Sequence, residues 1–217
     1  MDVVPSQLPP PEVYNILLNA VAPRPIAWVS TVSASGQPNL APFSFFNVVC
    51  ANPPMLGFSP SMRAPRKSTI AESAGEPVAE HKDTLRNVRD TGEFVVNVVT
   101  FELAEAMNLS SGEYDASISE FEVAKLASAP SNVVRPLRVA ASPVSFECKL
   151  HQILDFHRGP ASGSLVIGEI ISIHVNDQHW KDGRVDRDSL DLIGRMGGIQ
   201  YARTAQRFEM VRPKVSG

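Results

Sequence analysis

Cysteine is scarce: Cys50 and Cys148 are the only two in 217 residues. They stand too far apart in sequence for a metal or redox pair, and two thiols make no disulfide framework. Both are expected to be buried, behaving as small apolar residues. No pair of His or acidic residues has metal-ligand spacing, and no Ser-His-acid or Cys-His set can be assembled locally, so hydrolase and metalloenzyme readings are poor. A charge excess is missing too. Twenty Lys and Arg face 23 Asp and Glu, a formal charge of −3, and basic clusters are brief, so nucleic acid is not an expected partner. No apolar run reaches the ~20 residues that span a bilayer. Met1 to Pro11 is proline-rich and carries an acid where a signal peptide has a basic start and an apolar run, so a cytoplasmic protein without a membrane partner is expected. A G-x-G-x-x-G run is absent, which removes the usual signature of a dinucleotide-binding parallel sheet. There is no repeat of fixed period and no low-complexity tract.

What is present is the composition of one folded unit. Hydrophobic residues make up 43% and charged residues 20%, and the length suits a single domain over residues 1–217. Val13, Ile16, Leu17 and Ala20 recur at helical spacing from Pro11 to Ala20. Pro25 to Val32 alternates as a strand, Ser33 to Asn39 reads as a turn, and Leu40 to Cys50 resumes as one aromatic-rich partner strand. Met55 to Ser59 is a short strand, and Pro60 to His81 is polar and reads as a surface loop. Asp83 can cap a helix from Thr84 to about Asp90, with Leu85 and Val88 inward and Gly92 at its stop. Glu93 to Thr100 alternates as a strand. Phe101 to Pro136 mixes short helical patches with turns and is expected to cover a mouth of a barrel. Pro143 to Leu154 sets Phe146, Cys148 and Leu150 against a wet face of Glu147, Lys149 and His151. Leu165 to Val175 is apolar on both faces and should be more central, with His174 in a structural role. Strands dominate without regular strand-helix alternation, which predicts a mainly β protein, an antiparallel β-barrel with a few helices.

Four segments are unusual for plain strands or loops. In Ala41-Pro42-Phe43-Ser44-Phe45-Phe46-Asn47, small hydrogen-bonding groups alternate with flat apolar ones, placing Phe43, Phe45 and Asn47 on one face. A flavin, flat and apolar with a polar edge, needs that mixture; a packed strand with one satisfied Ser is the other reading. Lys82-Asp83-Thr84 opens a helix, where a phosphate meets free N–H groups, a hydroxyl and an ammonium. The same residues also read as a plain cap with Lys82 in solvent. Arg24, between Pro23 and Pro25, is a guanidinium held for a phosphate or carbonyl edge, or else a surface Arg in a stiff connection. Gly197-Gly198, flanked by Arg195 and Tyr201, permits close backbone approach or makes a simple turn.

In this order, the segments resemble the flavin reductase-like family of FMN-binding split barrels. The marks are Arg24-Pro25-Ile26-Ala27-Trp28-Val29-Ser30-Thr31, Asn39 to Asn47 followed by Asn52-Pro53-Pro54, and Lys82-Asp83-Thr84 ahead of Glu93-Phe94-Val95-Val96-Asn97. Gly168-Glu169-Ile170 and Arg195-Met196-Gly197-Gly198 support them. The resemblance implies a six-stranded antiparallel split barrel, usually a homodimer, with one FMN per subunit near the interface. It implies Ser30, Thr31, Pro42, Phe43, Ser44 and Asn47 along the isoalloxazine, Ser59, Lys82 and Thr84 at the phosphate, and Arg24 at one edge. Arg195, Gly198 and Tyr201 would lie at the outer face, where the nicotinamide of NADH or NADPH stacks. Arg63, Arg66 and Lys67 compete with Lys82 for the phosphate. Ser44 is the candidate catalytic donor, and a flavin-dependent oxygenase is a further implied partner. An electron-transfer flavoprotein without its own NAD(P)H activity is the main rival, and an oxidase of a small organic molecule is another.

Overall fold

The computed structural model describes residues 1–63, 81–156 and 162–215; most of the expected loop from Pro60 to His81, including Arg66 and Lys67, lies outside them. Helix α1 (Pro10–Ala20) starts on prolines, whose fixed φ suits a first turn and whose missing N–H costs nothing there. Its expected apolar stripe is left largely uncovered by the described residues: Val13 is half-buried, and Ile16 and Leu17 are both exposed.

Strands β1 (Ala27–Val32) and β2 (Pro38–Phe43) form the expected hairpin, in register from Ala27↔Phe43 to Val32↔Pro38. Strands β3 (Phe46–Ala51) and β4 (Pro54–Phe58) form the next. The single strand expected from Leu40 to Cys50 is therefore two, broken at Ser44-Phe45. With β5 (Glu93–Asn97), β8 (Val144–Asp155) and β9 (Ser164–Val175), they make one antiparallel sheet in the order β2-β1-β5-β8-β9-β4-β3. β2 and β3 are its opposite edges, yet only two residues separate them. The sheet must curl until its edges meet at this bend, which is barrel closure. The barrel has seven strands rather than six for this reason. Alternation restarts across the bend, so Phe43 is buried whereas Phe45 and Asn47 are exposed, and the three do not share a face.

Helix α2 (Asp83–Thr91) ends at Gly92, whose φ of 69° and N–H to the Val88 carbonyl make a left-handed stop of the kind glycine adopts without strain. Its Leu85 and Val88 enter the barrel core with Val29, Phe58, Phe94 and Val166. Helices α3 (Ala104–Leu109) and α4 (Glu120–Val123), with the small hairpin β6 (Ser128–Ala129) and β7 (Arg138–Val139), follow β5. Met107, Phe121 and Val139 pack on Trp28 and Leu40, forming a second core on the opposite face of β1, and Trp28 Nε1 donates to Ser110 Oγ at 2.8 Å. β1 is thus buried on both faces, which explains why Trp28 and Val29 are both fully excluded from solvent.

Glu147 departs from its expected wet face. It is fully buried because its carboxylate accepts the N–H groups of Asn132 at 2.8 Å and Val133 at 2.7 Å, fastening the preceding excursion to β8. Cys148 is buried as expected, and burial raises its thiol pKa; Cys50, on edge strand β3, is exposed instead. The first half of β9 is central, paired with both β4 and β8. Two further hairpins, β10 (Trp180–Lys181) with β11 (Arg184–Val185) and β12 (Ile193–Arg195) with β13 (Tyr201–Arg203), complete the chain. No helix among the described residues is long and apolar enough to cross a membrane.

One glycine in β9 is fixed by packing. A Cβ on Gly168 would lie 2.3 Å from Phe94 Cζ, and Phe94 is wedged in the barrel core with no exposed surface. Gly168→Ala should lower stability by about 1–3 kcal/mol, the usual cost of overpacking. Urea unfolding checks this; a loss under ~0.5 kcal/mol would mean that Phe94 has room to move.

Candidate functional site

A cleft of about 710 Å³ runs between α1 and the β2–β3 bend. The bend presents Pro42, Phe43, Ser44 and Phe45 to it, and α1 contributes Val13 and Leu17 from its apolar stripe and Tyr14 from beside it. The Tyr14 and Phe45 rings stand 6.3 Å apart across it. Ser59, Ser61 and Lys82 also line the cleft. Ser59 is fixed by its N–H to the Phe45 carbonyl at 2.8 Å and its hydroxyl to the Ser164 carbonyl at 2.9 Å.

Lys82 stands immediately before α2. It gives the first turn no side-chain cap, and its ammonium lies 5.6 Å from the centre of the Phe43 ring. Burial, then the neighbouring Arg63, lowers its pKa. The plain cap with Lys82 in solvent is therefore overturned. Asp83 is not a cap either: it is the first helical residue, paired with Arg63 at 3.2 Å and with Arg86. Thr84 is buried, its hydroxyl accepting from Asn39 Nδ2 at 3.0 Å. Among the described residues no carboxylate forms a salt bridge with Lys82, although the charge of Glu113 acts on it, so this end of the cleft holds a partly desolvated cation at a helix N-terminus whose N-cap side chain makes no cap bond. Its chemistry is that of an anion site.

A smaller compartment of about 250 Å³ opens beside the cleft and shares Tyr14, Pro42, Phe43 and Ser44 with it; Arg24, Asn108, Arg195 and Tyr201 also line it. Arg195 donates to Tyr201 Oη, and to the Gly198 carbonyl at 2.5 Å; its guanidinium lies 4.6 Å from the Tyr201 ring centre. Arg24 is 5% exposed, with its Nη groups donating to the carbonyls of Leu18 at 2.7 Å, Val21, and Met196 at 2.9 Å. It ties the end of α1 to the segment after β12.

The fold thus gathers Pro42, Phe43, Ser44, Ser59 and Lys82 around the cleft, and Arg24, Arg195 and Tyr201 beside it. Gly198, with φ 57°, lines a neighbouring hollow. Four others stand apart. Ser30 and Thr31 are interior, the first donating to the Leu137 carbonyl at 2.5 Å, the second accepting from Asn87 Nδ2 at 3.1 Å. The Thr84 hydroxyl is buried against Asn39, and Asn47 is exposed with its side chain turned onto the Val48 N–H at 2.8 Å. Tyr14 and Ser61 were not anticipated. Tyr14 had one legible sign, an aromatic ring beside the apolar stripe of α1; Ser61 had none.

A family model described as flavin reductase like domain matches residues 20–187. An uncharacterized protein of Halalkalibacterium halodurans is 36% identical over 218 residues, covering 100% of this chain and 98% of its own. Among solved structures, nitrilotriacetate monooxygenase component B from Bacillus cereus superposes with a TM-score of 0.85 at 30% identity, covering 97% of this chain and 98% of that one. The 2-nitrobenzoate 2-nitroreductase of Pseudomonas fluorescens superposes with a TM-score of 0.83 at 31% identity, covering 98% and 96%.

Proposed function

The chain belongs to the flavin reductase like family, and from that premise we propose that it binds FMN in the cleft beside α1 and transfers hydride from NADH or NADPH to flavin. The observation that carries this reading is the cleft's make-up: flat apolar walls at Tyr14, Pro42 and Phe43, and a half-buried lysine, Lys82, at a helix N-terminus. A group with a flat apolar body and a phosphate end fits that donor set. Its volume lies within the roughly 300–1,000 Å³ usual for a drug-sized ligand.

The flavin, when bound, supplies the electron chemistry, so the chain needs no nucleophile of its own. Lys82, with the first-turn N–H groups of α2, would hold the phosphate, and Ser59, whose hydroxyl proton is given to the Ser164 carbonyl, would border it. Phe43, Pro42 and Tyr14 would exclude water from the ring. The Ser44 hydroxyl, at the bend, would offer a proton donor to the polar edge as negative charge develops. Arg195 and Tyr201 would border the approach of the second substrate. Ser30, Thr31 and Asn47 have no direct part in this arrangement. Arg24 supports it by holding α1 against the segment after β12.

A homodimer belongs to the same reading. Ile16 and Leu17 of α1, Phe45 at the bend, and Val48 and Val49 of β3 are exposed apolar residues, and a second copy would cover them while closing the cleft. Delivery of reduced flavin to an oxygenase follows from the likeness to a monooxygenase component B, and a cytoplasmic setting is assumed.

The test is an anaerobic visible spectrum of the FMN-supplied protein, before and after NADH and then NADPH. Bleaching by either nucleotide, faster than with free FMN, supports the reductase and identifies its donor. A bound band that neither nucleotide bleaches turns the reading to an electron carrier, and absence of binding rejects the cleft as a flavin site.

A further inference from the structure

We propose that the compartment beside the cleft is a subsite for the carboxylate of a small organic acid bound next to the flavin; this rests on the flavin reading above. Two guanidinium groups, Arg24 and Arg195, line it, and no acidic residue does among the described residues. They are close enough for the charge of Arg195 to depress the Arg24 pKa, after the larger effect of burial. A like-charged pair in a partly desolvated space favours an anion between or beside its members.

The two arginines differ in what they can offer. Arg24 is anchored by three hydrogen bonds to main-chain carbonyls and its Nε is buried without a partner among the described residues, so it contributes chiefly a fixed positive field. Arg195 makes two hydrogen bonds, to Tyr201 Oη and the Gly198 carbonyl, and a guanidinium has five N–H donors. Tyr201 Oη accepts from Arg195, which leaves its own proton to donate. Asn108 adds an amide at the rim. A cation, a phenol and an amide, with no acidic residue in the lining, make a donor set that suits a carboxylate.

Size narrows the ligand. At about 250 Å³, the compartment falls below the roughly 300–1,000 Å³ range of sites for whole drug-sized molecules. It admits a single ring with one acid group, not a dinucleotide. Ser44, Phe43 and Pro42 belong to both spaces, so a molecule held here abuts whatever occupies the main cleft.

The probe pair is benzoate and benzamide, alike in shape and differing in charge, titrated into FMN-saturated protein. Perturbation of the flavin band and calorimetry are the two readouts. Benzoate is expected to bind at least tenfold more tightly than benzamide, with a spectral change, and Arg195→Gln should abolish that preference. Tyr201→Phe, which keeps the ring, should reduce benzoate affinity about threefold; circular dichroism checks that both variants fold. Equal binding of the two probes, or a preference surviving in Arg195→Gln, overturns the proposal. Inorganic pyrophosphate is the third arm: if it outcompetes benzoate and depends on Arg195, the anion is a nucleotide's pyrophosphate and the small-acid proposal falls. If FMN itself does not bind, the flavin reading fails by the missing visible band. Calorimetry on the flavin-free protein then decides the carboxylate site by the same Arg195→Gln comparison.

Discussion

Lys82→Ala is expected to weaken FMN binding by about 10- to 100-fold, while riboflavin, which lacks the phosphate, loses less than about threefold. The magnitude is that of one charge-assisted hydrogen bond, ~1.5–3 kcal/mol. Lys82 is the residue to test because its ammonium is half-buried against Phe43 and forms no salt bridge among the described residues, whereas Arg63 is tied to Asp83. Burial lowers the Lys82 pKa, so its charge should disappear at a lower pH than that of an ordinary lysine. FMN affinity should therefore begin to fall on the alkaline side earlier than for a solvated ammonium, and riboflavin affinity should not follow. The unliganded protein carries the opposite sign. With the folded pKa below the unfolded one, the unfolded chain binds more protons between the two values, so this group's contribution to stability improves as pH rises through that window. Fluorescence titrations of FMN and riboflavin across alkaline pH, with wild type, Lys82→Ala and Lys82→Met, decide the matter. Equal losses for the two flavins would mean that Lys82 packs against the ring and does not hold the phosphate.

The mainly β barrel was legible from alternation in β1, β5 and β8 and from the two-faced apolar run of β9, and α2 from its stop at Gly92 and its inward Leu85 and Val88. The break at Ser44-Phe45 was not. Pro42 to Asn47 keeps an alternating look with no glycine to mark a bend, and the evidence that β2 and β3 lie at opposite sheet edges is in the pairing partners, β1 and β4. Local patterns carry no information about partners distant in sequence. The same limit hid Glu147, an acid at a position of wet-face parity that is buried because residues 132 and 133 supply two N–H groups. For the site, Phe43, Ser44 and Lys82 were found from residue type and position. Ser30 and Thr31 were carried over by motif, yet both sit inside the double-faced burial of β1. Tyr14 was concealed because a helix with an uncovered apolar stripe reads like any amphipathic helix until its surroundings are known.

Asn97→Leu should cost about 3–5 kcal/mol, the largest loss expected from a single polar replacement here. Asn97 is fully buried at the end of β5. Its amide donates to the Trp28 carbonyl at 3.0 Å and to Ser30 Oγ at 3.3 Å, and its carbonyl oxygen accepts from the Val139 N–H at 2.9 Å and Ser145 Oγ at 3.0 Å. Two donors and two acceptor positions are thus all used, the full capacity of an asparagine side chain. The four partners lie on β1, β7 and β8, so one residue fastens the barrel wall to the layer covering its outer face. Leucine matches the volume but leaves several of those groups buried without a partner, and each such group costs ~1–3 kcal/mol. Asn97→Asp keeps the size and the acceptors but removes the two amide donors, and its ionised form adds a buried charge. It should therefore be less stable than wild type at neutral pH and recover in part as the pH is lowered and the carboxyl takes up a proton. Urea midpoints for the three proteins at neutral and mildly acidic pH provide the measurement. A loss below ~1 kcal/mol for Asn97→Leu would show that water or a shifted Val139 strand replaces the missing bonds. The outer layer would then be held chiefly by Trp28, Met107 and Phe121, and the polar tie would be secondary.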